Sequence, residues 1–143
     1  MCGEELTYPR DILILSPKHT SDGVTWAVTR HEKWALSDTA NISGNLEFAT
    51  MLVEHVPGME LDSAIHRREH GIEVQLPFLY RLAPDSRITA IAMDDAAHSD
   101  LHQAAQALAA LSKRLPGPPL IVIRSAMNHF AQDGKNRGRD QIA

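Results

Sequence analysis

The stretch "HRREHGIEVQLPFL", residues 66–79, opens with the residue types of a metal or acid–base site. His66 to His70 fit H-x-x-E-H, the inverted zinc-peptidase pattern, in which two histidines hold the ion and the glutamate is general base. On a continuous helix, spacings of three and four would bring His66, Glu69, His70 and Glu73 to one face. That chemistry also demands a third carboxylate ligand from farther downstream. The preceding residues, "GMELDSAI", carry no strong helix signal. Five letters with three fixed recur by chance, so a polar face at a helix start is the competing reading.

Two further groups follow apolar runs. His19 lies in "SPKHT" after "DILIL" (11–15), and Asn128 and His129 lie in "RSAMNHF" after "PLIVI" (119–123). Doubly wound sheets bind ligands beyond the carboxyl ends of their strands, and imidazole is the commonest metal ligand. His19 and His129 are therefore candidates to face one ion, with Lys18 and Asn128 beside them. Each histidine could equally cap a helix or meet solvent. His31 reads as an exposed loop residue between Trp26 and Trp34. His55 closes a helix, where a cation suits the dipole, and His98 and His102 flank a helix start at the surface.

The elements that must position these groups show in the apolar patterning. "DILIL", "RITAIAM" (87–93) and "PLIVI" read as buried parallel strands, being apolar runs without alternation. Residues 45–56 place Leu46, Ala49, Leu52, Val53 and Val56 on one helical stripe, starting near Ser43 or Asn45 and stopping at Pro57-Gly58. Residues 99–115 form a second helix, with Ser99 as cap and a stripe of Leu101, Ala104, Ala105, Leu108, Leu111 and Leu115. A third stretch spans roughly 69–82, and Pro77 must kink it or open its second half. Strands alternating with helices predict a small, layered α/β domain: a mostly parallel sheet of three or four strands, with helices on both faces. "DGKNRGRDQIA" (133–143) looks like a helix beginning where the chain stops, so the single domain is expected to be partial.

Bulk properties exclude several classes. The 143 residues carry a net charge of −4, which leaves no basic face for nucleic acid. One cysteine, Cys2, excludes an intrachain disulfide framework. No segment is apolar for the roughly 18 residues that a membrane span needs, and "MCGEELTYPR" has no apolar signal core. A soluble cytoplasmic protein is expected.

Three segments, "LSPKHT", "EHGIEVQLPFL" and "SAMNHF", together resemble the Memo family, known in prokaryotes as AmmeMemoRadiSam system protein B. "EHGIEVQLPFL" (69–79) is similar to the family hallmark E-H-[SAG]-I-E-x-x-L-P, and the resemblance runs from Tyr8 to about Asp140. It implies part of the fold of class III extradiol, non-haem iron dioxygenases. It also implies that the pentapeptide belongs to the Memo helix rather than to a peptidase. On the same resemblance, His19 takes the place of one metal-facing histidine, and "IRSAMNHF" (123–130) that of the family's S-S-D-x-x-H segment.

The departures are as informative. The family pocket also draws on a histidine in a P-H-A-G-Y segment and a later cysteine, which this chain lacks, and Ala126 replaces the aspartate. Only His19 and His129 of the five pocket groups remain. The expectation is a degenerate or incomplete domain with no catalysis of its own, holding a divalent metal (Fe, Cu or Zn) weakly or not at all. The competing expectations are a metal-dependent oxidoreductase or dioxygenase completed by a second chain or a second copy, and a metal-free binding module. In the dioxygenase case Glu69 or Glu73 would supply the carboxylate. Ammecr-domain and radical-SAM proteins are the partners that the family's name implies.

Overall fold

A computed structural model of the chain describes residues 8–21, 23–67 and 69–125. Its centre is β1 (Asp11–Pro17), which pairs in parallel with β6 (Arg87–Met93) on one side and with β7 (Leu120–Ile123) on the other. Beyond β6 lie β4 (Asn41–Gly44), parallel to it, and β3 (Lys33–Ala35), antiparallel to β4. A second branch, β2 (Trp26–Val28), runs antiparallel to the end of β6 and carries β5 (Met59–Leu61) alongside in parallel. The order β3-β4-β6-β1-β7 is mostly parallel, as expected, but the sheet has seven strands among the described residues rather than three or four. The four additional ones have only three or four residues each, too short to show a period.

Strand alternation divides the interior in two. Ile12 and Ile14 of β1, with Ile88, Ala90 and Ala92 of β6, face Ile72, Leu76 and Leu79 from α2 (His70–Glu73) and α3 (Leu76–Leu82). Leu13 and Ile91 face the other way, against Phe48 and Leu52 of α1 (Leu46–His55) and Ala104, Leu108 and Leu111 of α4 (His98–Ser112). Successive strand residues point to opposite faces, so one continuous apolar run serves both cores. The exception is β7, where Ile121 and Ile123 are exposed. Leu46 and Leu101, read as stripe residues, are also exposed, and Phe48 fills the α1 interface instead.

Asn45 caps α1 through the Phe48 N–H at 3.0 Å, while its amide donates to Asp11 Oδ1 at 2.7 Å. Arg87 holds the same buried carboxylate from the neighbouring strand, at 2.8 Å, so cap and sheet are fixed together. Ser99 does not cap α4. The cap position is Ala97, whose methyl group can accept no hydrogen bond, and Ser99 bonds Asp100 inside the first turn.

Residues 69–82 are two helices rather than one. α2 ends at Glu73, and Pro77 sits at the start of α3, where its lack of an N–H costs no helical hydrogen bond. Ahead of α2 lies a separate 3₁₀ turn, Ile65–Arg67. No helix among the described residues is long and apolar enough to cross a membrane.

Candidate functional site

The carboxyl ends of β1 and β7 lie side by side, and the loop leaving β1 carries His19 over this rim. Glu69 reaches it from the other side of the sequence. It has extended backbone (φ −92°, ψ 111°) and caps α2 by accepting the Gly71 N–H at 2.9 Å. Its Oε2 accepts the His19 backbone N–H at 2.6 Å, and its Oε1 lies 2.6 Å from His19 Nδ1. Burial alone would raise the Glu69 pKa. The N–H groups of His19 and Gly71, with the His19 ring, outweigh it and hold the carboxyl below the usual glutamate range. An ionised carboxylate there requires the hydrogen on Nδ1, which leaves Nε2 as the ring's other polar atom. Arg124, the first residue after β7, places Nη1 3.1 Å from that nitrogen. The His70 ring packs 4.7 Å from the His19 ring.

Gly71 makes this crowding possible. A Cβ at that position would overlap Ser16 Oγ and lie 3.0 Å from Arg124 Nη1 and 3.1 Å from Glu69 Oε1. The α2 turn can therefore press its backbone against the end of β1 only with hydrogen at that position.

His19, Glu69 and His70 each offer one donor atom within 4.8 Å of the others, and two imidazoles with a carboxylate are the ligand types of a non-haem iron site. The arrangement nevertheless does not fit an ion as it stands. Bonds of roughly 2.0–2.2 Å to two ligands at right angles or wider separate those ligands by about 3 Å or more. His19 Nδ1 and Glu69 Oε1, 2.6 Å apart, are closed on a hydrogen bond instead. On the other edge of the ring, an ion at Nε2 would have to displace a guanidinium. Unit charges of like sign about 4 Å apart repel by roughly 4 kcal/mol near a protein surface, and a divalent ion doubles this.

The remaining sequence candidates separate. Lys18 does not join His19: its buried side chain gives its ammonium to the Val24 carbonyl at 3.0 Å and to Asp94 at 3.4 Å, tying the loop to the end of β6. Asn128, His129 and Ala126 lie outside the described residues, as does the helix expected near residue 133. Glu73 is exposed on α2.

His66 and His70 do not share a helical face, because the chain becomes extended at Glu69 between the 3₁₀ turn and α2. His66 is instead 2 % exposed, 6.1 Å from both the His31 and Trp34 rings. Neither of its ring nitrogens makes a well-formed hydrogen bond among the described residues, although the Ala27 backbone lies close enough to favour the cation. Burial, then the His31 charge, lowers its pKa to about 4. His31, expected to be exposed, is half-buried against Trp34 and bonded to Thr29 Oγ1 at 2.6 Å.

Arg124 is the site residue that sequence reasoning missed. The signal was its place directly after an apolar strand, one position into the segment whose later histidine drew the attention.

A family model described as Memo, Memo-like protein, matches residues 4–143. Among curated proteins, a MEMO1 family protein of Methanobrevibacter smithii is 30% identical over 123 residues, covering 86% of this chain and 43% of that protein. One of Methanopyrus kandleri is 26% identical over 134 residues, covering 93% and 47%. Another, of Thermotoga maritima, is 30% identical over 122 residues, covering 85% and 43%. The chain thus spans a little under half the length of these relatives.

Proposed function

The chain belongs to the Memo family, and from that premise we propose that it is a degenerate or incomplete relative of the non-haem metal dioxygenases. In this reading it keeps a pre-oriented pocket histidine but does not catalyse by itself. The observation that carries it is the double hold of Glu69 on His19. A carboxylate that orients a ligand histidine through Nδ1 is the usual supporting partner of a metal-binding imidazole, and here it is complete. The ligand shell it would serve is not complete among the described residues. Glu69 is committed to three hydrogen bonds, Arg124 faces Nε2, and His70 is the one other nitrogen ligand at hand. Were an ion held, His19 and His70 would be its protein ligands, and it would supply Lewis acidity. A cytoplasmic setting, and work beside Ammecr-domain and radical-SAM proteins, belong to the same proposal.

The second reading is a metal-dependent oxidoreductase completed by another chain. It draws on the chain's spanning less than half of its relatives' length, with His19 already aimed. Calorimetric titration of the purified chain with Zn(II) and Fe(II) separates the two. The first reading expects binding weaker than micromolar. Stoichiometric, tighter binding that is abolished by His19→Ala would overturn it in favour of the second.

A further inference from the structure

We propose that Arg124, held by His19, forms a binding site for a small oxyanion, a carboxylate or phosphate group, at the joint rim of β1 and β7. The inference rests on the reading of this rim as a pocket that does not grip a cation, and says what it takes instead. Arg124 is anchored at both ends. Its backbone N–H donates to the Leu15 carbonyl at 2.9 Å, which continues the β1–β7 register, and its guanidinium lies over Gly71, close enough that a Cβ there would meet Nη1 at 3.0 Å. Among the described residues the guanidinium makes one hydrogen bond, to His19 Nε2. A planar fork of five donors, held in place with one of them used, matches the paired oxygens of a carboxylate or phosphate.

Among the described residues, the Glu69 carboxylate is committed elsewhere than to this fork. The Glu69 side chain is fully buried, and its oxygens accept from His19 N–H, His19 Nδ1 and Gly71 N–H. It bonds the Nδ1 edge of the imidazole, and Arg124 meets the Nε2 edge. Lys18, the other cation of the loop, is neutralised by Asp94 and does not compete for the anion. The rim therefore offers a guanidinium steadied by an imidazole at the carboxyl ends of adjacent parallel strands, where such sheets bind their ligands.

Two-dimensional NMR of the intact chain tests this, following the Arg124 side-chain N–H and the His19 ring. Inorganic phosphate and acetate are added in separate arms, with sodium chloride at matched ionic strength as control. Saturable shifts at both residues are expected, and the tighter arm identifies the oxyanion class. Arg124→Gln should weaken binding at least tenfold and raise Zn(II) affinity about tenfold. Arg124→Lys, which keeps the charge but not the fork, should lose most anion binding without gaining metal, and it carries the test should the glutamine variant not fold. Shifts that chloride reproduces, or that survive both variants, would overturn the inference. Wild-type Zn(II) affinity is read separately: tight binding overturns the reading of the pocket, whereas weak metal binding with no anion response overturns this inference alone.

Discussion

His19 Nδ1 lies 2.6 Å from Glu69 Oε1, and the other oxygen of the same carboxylate accepts the His19 backbone N–H at an equal distance. One side chain thus fixes both the ring and the main chain of a residue fifty positions away. Replacing Glu69 by alanine strands the N–H groups of His19 and Gly71, each worth about 1–3 kcal/mol when left unpaired. Glu69→Ala should cost about 2–4 kcal/mol in urea unfolding. Glu69→Gln should cost somewhat less, because its amide keeps one acceptor. The carboxyl pKa is depressed in the fold. Its contribution is therefore present above the ordinary glutamate range and is lost as pH falls through the folded pKa. A loss within about 0.5 kcal/mol of zero would remove the clasp from the account.

His66 sets a second, opposite-charge dependence on acid. Its pKa is 6.5 in the open chain and about 4 in the fold, because burial and the His31 charge disfavour the cation. Below pH 6.5 the unfolded chain takes up a proton that the folded chain refuses until about pH 4. This stabilisation is complete above the first value and lost on approach to the second, about 3 kcal/mol in all. His66→Phe should flatten the acid limb and leave stability at pH 7 equal or higher, since two unpaired nitrogens go with the ring. Urea midpoints at pH 4.5 and 7 that shift equally in both proteins would contradict this.

Gly71→Ala should destabilise by about 2–4 kcal/mol, because the new methyl would overlap Ser16 Oγ. Removing that hydroxyl in the Ser16→Ala background should restore at least half of the loss. Two strictly additive costs in a double-mutant cycle would show that the contact does not limit this turn.

Val74 projects from the turn after α2, Phe78 and Leu82 from α3, and Ile121 and Ile123 from β7, with Phe78 69% and Ile123 72% exposed. Apolar surface of this kind favours association. Phe78→Ser and Ile123→Thr should lower dye binding and self-association seen by light scattering, with little change in unfolding midpoint. A wild-type chain that is monomeric and dye-silent at high concentration would refute the expectation.

The long elements were legible because each repeats its pattern several times. β6 coincides with the expected 87–93, and α1 begins after the Asn45 cap as the composition suggests. The three-residue strands β2, β3 and β5 contain too few positions to display a period, so the Trp26–Trp34 region read as a loop with an exposed histidine. Helical spacing placed His66 beside His70, yet that argument holds only on an unbroken helix, and Glu69 breaks it by turning its carboxylate to His19. The pairing of residues 19 and 69 depends on how the β1 rim meets the α2 turn, which no local pattern encodes. Arg124 escaped notice because its partner, His19, adjoins it only through the β1–β7 register.

Because the clasp joins residues fifty positions apart, its formation must await closure of a loop that contains β2 to β5 and α1. The parallel pairs beneath it close longer loops still, Asp11 with Arg87 and Ile12 with Leu120, and non-local pairing of this kind is intrinsically slow. The rim that carries His19 and Arg124 therefore depends on the same non-local closures as the sheet it stands on, and the chain is expected to fold slowly for its length.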